Sequence, residues 1–175
     1  MTDQIIAVTV LGDDRPGIVA DVTGALVGLQ GNLEDSTMTL LRGHFAMVLL
    51  VRTASSVESV EAALAPLGAD GSLVINARVL AESALSQVGG GPSYALRVHG
   101  ADRPGIVAAI TGVVARNGAN IVDLGTRLGD GLYVLMAELE LPSDASVVAL
   151  ESELQDAARA LGVEVHLSPI DDDLL

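Results

Sequence analysis

One stretch of this chain carries residue types that could do chemistry, and it occurs twice. Asp14-Arg15-Pro16-Gly17-Ile18-Val19-Ala20 returns 88 residues later as Asp102-Arg103-Pro104-Gly105-Ile106-Val107-Ala108. Each copy joins a short β-forming run to a run of helical spacing, so each is a loop leading into a helix N-terminus. Such a loop points free backbone N–H groups and the positive end of the helix dipole at one spot, which suits a carboxylate. Proline removes one donor, glycine leaves the backbone approachable, and Asp14 and Asp102 offer a carboxylate to an ammonium group. Arg15 and Arg103 stand where an anion would be held. This is equipment for holding a small charged molecule. The chain has no cysteine and no lysine, and its histidines, His44, His99 and His166, are dispersed. Thiolate nucleophiles, lysine Schiff bases, phosphate-loop lysines, disulfide frameworks and zinc-finger sites are therefore excluded. With no Ser/His/Asp set or paired acid on the motif, no catalytic residue, metal or other cofactor is expected.

Structural roles compete for the same residues. Asp14 and Asp102 either cap the following helix or contact a ligand, and the two roles are compatible. Arg15 and Arg103 reach solvent, form a local ion pair or meet an anion. Gly17 and Gly105 suit close helix–strand packing, and Ile18, Val19, Ile106 and Val107 are core first and pocket wall second.

The elements that must position the motif repeat with it. The same offset aligns Val10 with Val98, Gly12 with Gly100, Thr23-Gly24 with Thr111-Gly112, Asn32 with Asn120, Asp35 with Asp123 and Gly43 with Gly131, so the chain is a duplicated module. Strands over 5–11 and 94–99 precede the motif. After it, apolar residues at 18, 19, 22, 26 and 29, and at 106, 107, 110, 113 and 114, keep helical spacing. Pro16 and Pro104 are expected in the first helical turn, and Gly31 and Gly118 end these helices. Strands over 32–41 and 44–53, and over 120–128 and 132–141, follow across hairpin turns at Arg42-Gly43 and Gly129-Asp130-Gly131. A second helix opens at a capping box of Ser55 and Glu58 in one copy and near Ser143-Asp144 in the other. Final strands over 73–79 and 163–167 complete the order β-α-β-β-α-β. The expected class is α+β: two ferredoxin-like βαββαβ domains, each a four-stranded antiparallel sheet with two helices on one face. Domains are read at 1–80 and 93–170, with a Gly/Pro-containing linker at 81–92 and an acidic tail at 171–175.

Composition bounds the rest. Among 175 residues, 9 arginines against 23 acidic residues give a formal charge of −14, and only Phe45, Tyr94 and Tyr133 are aromatic. That balance repels a phosphate backbone and offers little for base stacking, so no direct nucleic-acid contact is expected. The start lacks the pattern of a signal peptide and the longest apolar run, 45–51, is too short to span a membrane, so a cytoplasmic protein is expected. Helices on one face of a sheet should leave the other face alternating and wet. In 45–51 and 132–137 both alternating sets are apolar, which predicts cover on the second face from the other module or a second chain. The simplest result is a homo-oligomer, a homodimer.

The run Gly12-Asp13-Asp14-Arg15-Pro16-Gly17-Ile18-Val19, a helix through Thr23-Gly24, then Gly31-Asn32-Leu33-Glu34-Asp35, resembles an ACT domain. Gly100 to Val107 with Gly118-Ala119-Asn120-Ile121-Val122-Asp123 is similar and closer to the usual pattern. Two such domains and no other module resemble the tandem ACT proteins of the glycine cleavage system repressor type. The resemblance implies a non-catalytic regulatory module that binds a small metabolite, usually an amino acid, where the first loop and helix of one domain meet a neighbouring domain. It implies action through assembly or a regulatory protein partner, in amino-acid (glycine) metabolism or transcription. The implied ligand-binding residues are Asp14, Arg15, Pro16, Gly17, Ile18 and Asn32, with Asp102, Arg103, Pro104, Gly105, Ile106 and Asn120. The asparagines match the position from which the family commonly supplies an amide that both donates and accepts; local backbone bonding is equally open to them. Asp35 and Asp123 are expected to hold a neighbouring domain or loop. The copies differ, since Leu11, Asp13 and Glu34 correspond to His99, Ala101 and Val122, which leaves room for one site to be altered. A structural adaptor without ligand and a small ferredoxin-like enzyme are the competing readings.

Overall fold

A computed structural model describes residues 3–81 and 91–170. Most of the expected linker and the whole of the expected acidic tail lie outside the described residues. The chain divides into two units, Met1–Gln87 and Val88–Leu175. The first runs β1 (Gln4–Asp13), α1 (Ile18–Val27), β2 (Asn32–Leu41), β3 (His44–Thr53), α2 (Val57–Leu64) with a following 3-10 turn, and β4 (Leu73–Val79). The second runs β5 (Ser93–Ala101), α3 (Ile106–Arg116), β6 (Asn120–Gly129), β7 (Leu132–Glu140), α4 (Val147–Leu161) and β8 (Val163–Pro169). Pairing is antiparallel throughout, in the orders β2-β3-β1-β4 and β6-β7-β5-β8. This is the α+β ferredoxin-like plan, twice.

Period-two patterning explains which side of each sheet receives its helices. Phe45, Met47, Leu49 and Val51 alternate inward along β3 and bury with Ile6, Val8 and Val10 of β1 against Ile18, Val22 and Leu26 of α1 and Val60 and Leu64 of α2. Leu135, Ala137 and Leu139 of β7 do the same with Leu96 and Val98 against α3 and α4. The second face carries both kinds of residue. Ile5 and Ala7 are buried on it, whereas Val48 and Met136 are 41% and 49% exposed.

Several local expectations shift. Pro16 and Pro104 precede their helices, which begin at Ile18 and Ile106 after Gly17 and Gly105. Gly118 does end α3, at φ +71, but in the first copy Gln30 takes the left-handed position (φ +52) one residue before Gly31. The N-caps of α2 and α4 are Ser56 and Ser146, which accept from the N–H groups of Ser59 and Ala149, not Ser55 and Ser143. Both hairpins are two-residue turns with left-handed φ, Arg42-Gly43 at +50 and +87 and Asp130-Gly131 at +50 and +79. That geometry matches the right-handed twist of the flanking strands.

Candidate ligand-binding loops

The Arg-Pro-Gly-Ile segment is a type II turn. Arg15 accepts at its carbonyl from the Ile18 N–H (3.4 Å), and Gly17 sits at φ 86, ψ −4; Gly105 repeats this at φ 92, ψ −3. Proline presets the first central position and the second demands positive φ, which glycine adopts without strain. A Cβ at Gly17 or Gly105 would meet nothing within 4 Å, so backbone conformation and not helix–strand packing is their requirement. Close packing falls instead to Gly12 and Gly100, where a Cβ would come 2.0 Å from the Ser72 carbonyl oxygen and 2.8 Å from the Val163 side chain.

Gly17 and Gly105 are themselves the N-caps of α1 and α3, and neither helix has a side-chain cap. Asp14 and Asp102 are therefore not capping residues. The carbonyls of Gly17 and Gly105 accept the first helical bonds, from Asp21 and Ala109 at 2.9 Å. The N–H groups of Val19, Ala20, Val107 and Ala108 find no partner among the described residues. Each loop thus presents unpaired donors beside an exposed carboxylate.

The two arginines differ. Arg15 makes an ion pair with Asp21 (2.7 Å), and Asp70 lies close enough to feel its charge. The Asp70 carboxyl is held below its ordinary value by the Ser72 hydroxyl first, then by the Ser72 N–H, with Arg15 adding to this. Asp21 corresponds to Ala109 in the second copy, and no carboxylate lies within 4 Å of Arg103 among the described residues. The Arg103 guanidinium lies instead where a side chain at Gly162 would meet it at 3.5 Å, beside the left-handed end of α4. His99 is paired with Glu164 (3.2 Å). The first loop is also tied down through Asp13 N–H to the Ser72 carbonyl (3.0 Å) and Asp14 N–H to the Gly43 carbonyl (3.1 Å).

The structure gathers Asp14 to Ile18, and Asp102 to Ile106, but not the asparagines. Asp13, where the loop begins, lies opposite His44 on β3, while Asn32 lies opposite Arg52 at the other end of the same strand. Eight residue steps at about 3.3 Å put roughly 26 Å between them. The second copy is built alike: Ala101 opposes Leu132, and Asn120 opposes Glu140. Asp35 accepts from the Ser36 N–H (2.7 Å) and, with Ser36, Thr37, Val48 and Leu50, lines a shallow hollow of 190 Å³. A second hollow of 300 Å³ is lined by Gln155, Ala158, Arg159, Val163, Glu164 and Val165. Neither is lined by loop residues. Among the described residues no group of three or more possible metal ligands occurs, and no helix is long and apolar enough to cross a membrane. Asp21 and Asp70, the partners of Arg15, went unread in the sequence. Asp21 is the acidic residue in the first turn of α1, a readable signal, but Asp70 arrives only through the pairing of β1 with β4.

Two βαββαβ units, each with the same Pro-Gly turn ahead of its first helix, define a tandem ferredoxin-like protein. The ACT domain model matches residues 4–77 and again 95–168, and the chain belongs to the ACT domain family. The glycine cleavage system transcriptional repressor of Escherichia coli is 25% identical over 168 residues, covering 94% of this chain and 87% of that one. A UPF0237 protein of Methanopyrus kandleri is 45% identical over 69 residues, 39% of this chain and 77% of its own length. The crystal structure of an unknown protein from Galdieria sulphuraria superposes with a TM-score of 0.83 at 31% identity, over 97% of this chain and 100% of that one. The resemblance to tandem ACT proteins of the repressor type holds along nearly the whole chain.

Proposed function

We propose that this protein is a non-catalytic, cytoplasmic amino-acid sensor whose ligand bridges a loop of one ACT domain and the asparagine of a neighbouring ACT domain in a second chain. One observation carries this reading: each copy keeps its loop and its asparagine at opposite ends of its sheet, so a ligand that uses both must join two domains. The ligand's carboxylate would meet the unpaired N–H groups of the first helical turn, and Asp14 or Asp102 its ammonium group. Asn32 or Asn120 would close the site from the other domain with an amide that both donates and accepts. Binding that spans two domains favours their association by its differential affinity and no more, which turns occupancy into assembly that a regulatory protein partner can read. The repressor relative supports a place in amino-acid metabolism, with glycine the first ligand to try.

A panel of the amino acids in thermal unfolding tests this. A ligand at a hundred times its Kd stabilises the folded chain by about 2.7 kcal/mol, a rise in melting temperature of several degrees. One or a few amino acids should give that rise together with faster sedimentation. Asn32→Ala combined with Asn120→Ala should abolish the rise while leaving the ligand-free melt within about a degree, since both side chains are exposed. If no amino acid moves either readout, the sensor reading fails and the structural adaptor replaces it; full binding by the double variant removes the asparagines from the site.

A further inference from the structure

The two loops share a backbone but not a charge. α1 carries Asp21 in its first turn, whereas Ala109 takes that position in α3, whose first turn has no acidic residue. A helix N-terminus favours a negative charge within its first turn, and α1 brings its own. The difference continues around the loop. Asp13 leads into the first loop and Ala101 into the second. Asp70-Gly71-Ser72 precedes β4, whereas Ala160-Leu161-Gly162 brings no acid to the start of β8. Gly12 pairs with Leu73 and Gly100 with Val163, so each of these segments lies beside its own loop. We infer, resting on the function proposed above, that a ligand's carboxylate is taken by the second loop alone, at Arg103, and that Asp21 closes the first loop to anions. Each chain then holds one ligand.

The arginines carry this difference. Arg15 Nη1 lies 2.7 Å from Asp21 Oδ2, with side chains 42% and 44% exposed, so the pair is partly withdrawn from the screening of solvent. An incoming carboxylate has to compete with Asp21 for the guanidinium and stand beside its charge. Asp70 adds a second negative charge near the same group. Arg103 has no carboxylate within 4 Å among the described residues. Its central carbon and both terminal nitrogens lie at an equal 3.5 Å from the place a Cβ on Gly162 would take. The planar guanidinium therefore lies face-on to that glycine, which leaves its N–H edge for an anion. His99 and Glu164, charged neighbours of this loop, pair with each other at 3.2 Å and do not engage Arg103. The N–H groups of Val107 and Ala108 complete the set of donors.

Amide-resolved NMR of the full chain tests the assignment, with sodium acetate as the carboxylate probe and sodium chloride at equal ionic strength as control. The Val107 and Ala108 N–H signals should move with acetate and saturate, while those of Val19 and Ala20 stay where chloride leaves them. Arg103→Gln should abolish that response and Arg15→Gln should not change it. Asp21→Ala should make Val19 and Ala20 respond as well. Ala109→Asp should weaken the second-loop response about fivefold, the effect of an exposed ion pair near the top of its usual range. Thermal unfolding checks that each variant stays folded. Equal responses from both loops, a response from the first alone, silence in both, or a first loop still silent in D21A would each overturn the inference. An amino-acid panel that moves neither melt nor sedimentation, with the acetate pattern intact, would fail the proposed sensor alone. An amino acid that fills two sites per chain in calorimetry would fail this assignment and leave the sensor standing.

Discussion

Four glycines near the loops separate two reasons for lacking a side chain. At Gly17 and Gly105 the space is open and φ is 86 and 92, so alanine introduces left-handed strain and nothing else, about 1–2 kcal/mol. At Gly12 the backbone is an ordinary strand, but a Cβ 2.0 Å from the Ser72 carbonyl oxygen must push β1 away from the start of β4. Gly12→Ala should therefore destabilise the first domain more than Gly17→Ala does, and urea titration of the two variants measures the order. If Gly17→Ala proves as stable as the unaltered chain, the turn has room to change type and the glycine is kept for ligand access. The arginines make a related point. The repeated Arg-Pro-Gly reads as one motif, yet Asp21 occupies Arg15 while Ala109 leaves Arg103 to lie beside Gly162, so identical residues acquire different neighbours.

Strands were legible almost to the residue because short runs of β-forming residues and the two-residue turns between them are local signals; β2 and β3 run over 32–41 and 44–53 as expected. Helix starts were less so, because serines compete for the cap and their neighbours decide. Ser55 donates its N–H to the Thr53 hydroxyl (3.1 Å), which holds it in the approach to the helix and passes the cap to Ser56. In the second copy a turn closed by Ala145 N–H on the Pro142 carbonyl (2.9 Å) consumes Ser143 and Asp144, so α4 waits for Ser146. Ser146→Ala should cost about 1 kcal/mol of the second domain's stability, while Ser143→Ala stays within about 0.5 kcal/mol, as chemical denaturation followed at α4 would report. Equal losses would mean that the turn before the helix matters as much as the cap. The position of the loops ahead of the first helices was legible, whereas the distance to the asparagines was not. In sequence Asn32 follows soon after the loop, but the helix between them carries the chain back along the sheet.

Across the whole molecule the charge of −14 bears on how a relative of a transcriptional repressor can act. Duplex DNA binds proteins chiefly by exchanging counterions for Lys and Arg, and this chain has no lysine. Of its nine arginines, Arg15, Arg52, Arg116 and Arg159 already pair with carboxylates. The four α-helices among the described residues bury their apolar sides on their own sheets, and none of them has the basic stripe that a helix lying in a groove needs. The chain alone, tested by gel retardation at physiological salt, should leave duplex DNA unshifted even at tens of micromolar. A submicromolar, sequence-dependent shift would contradict this.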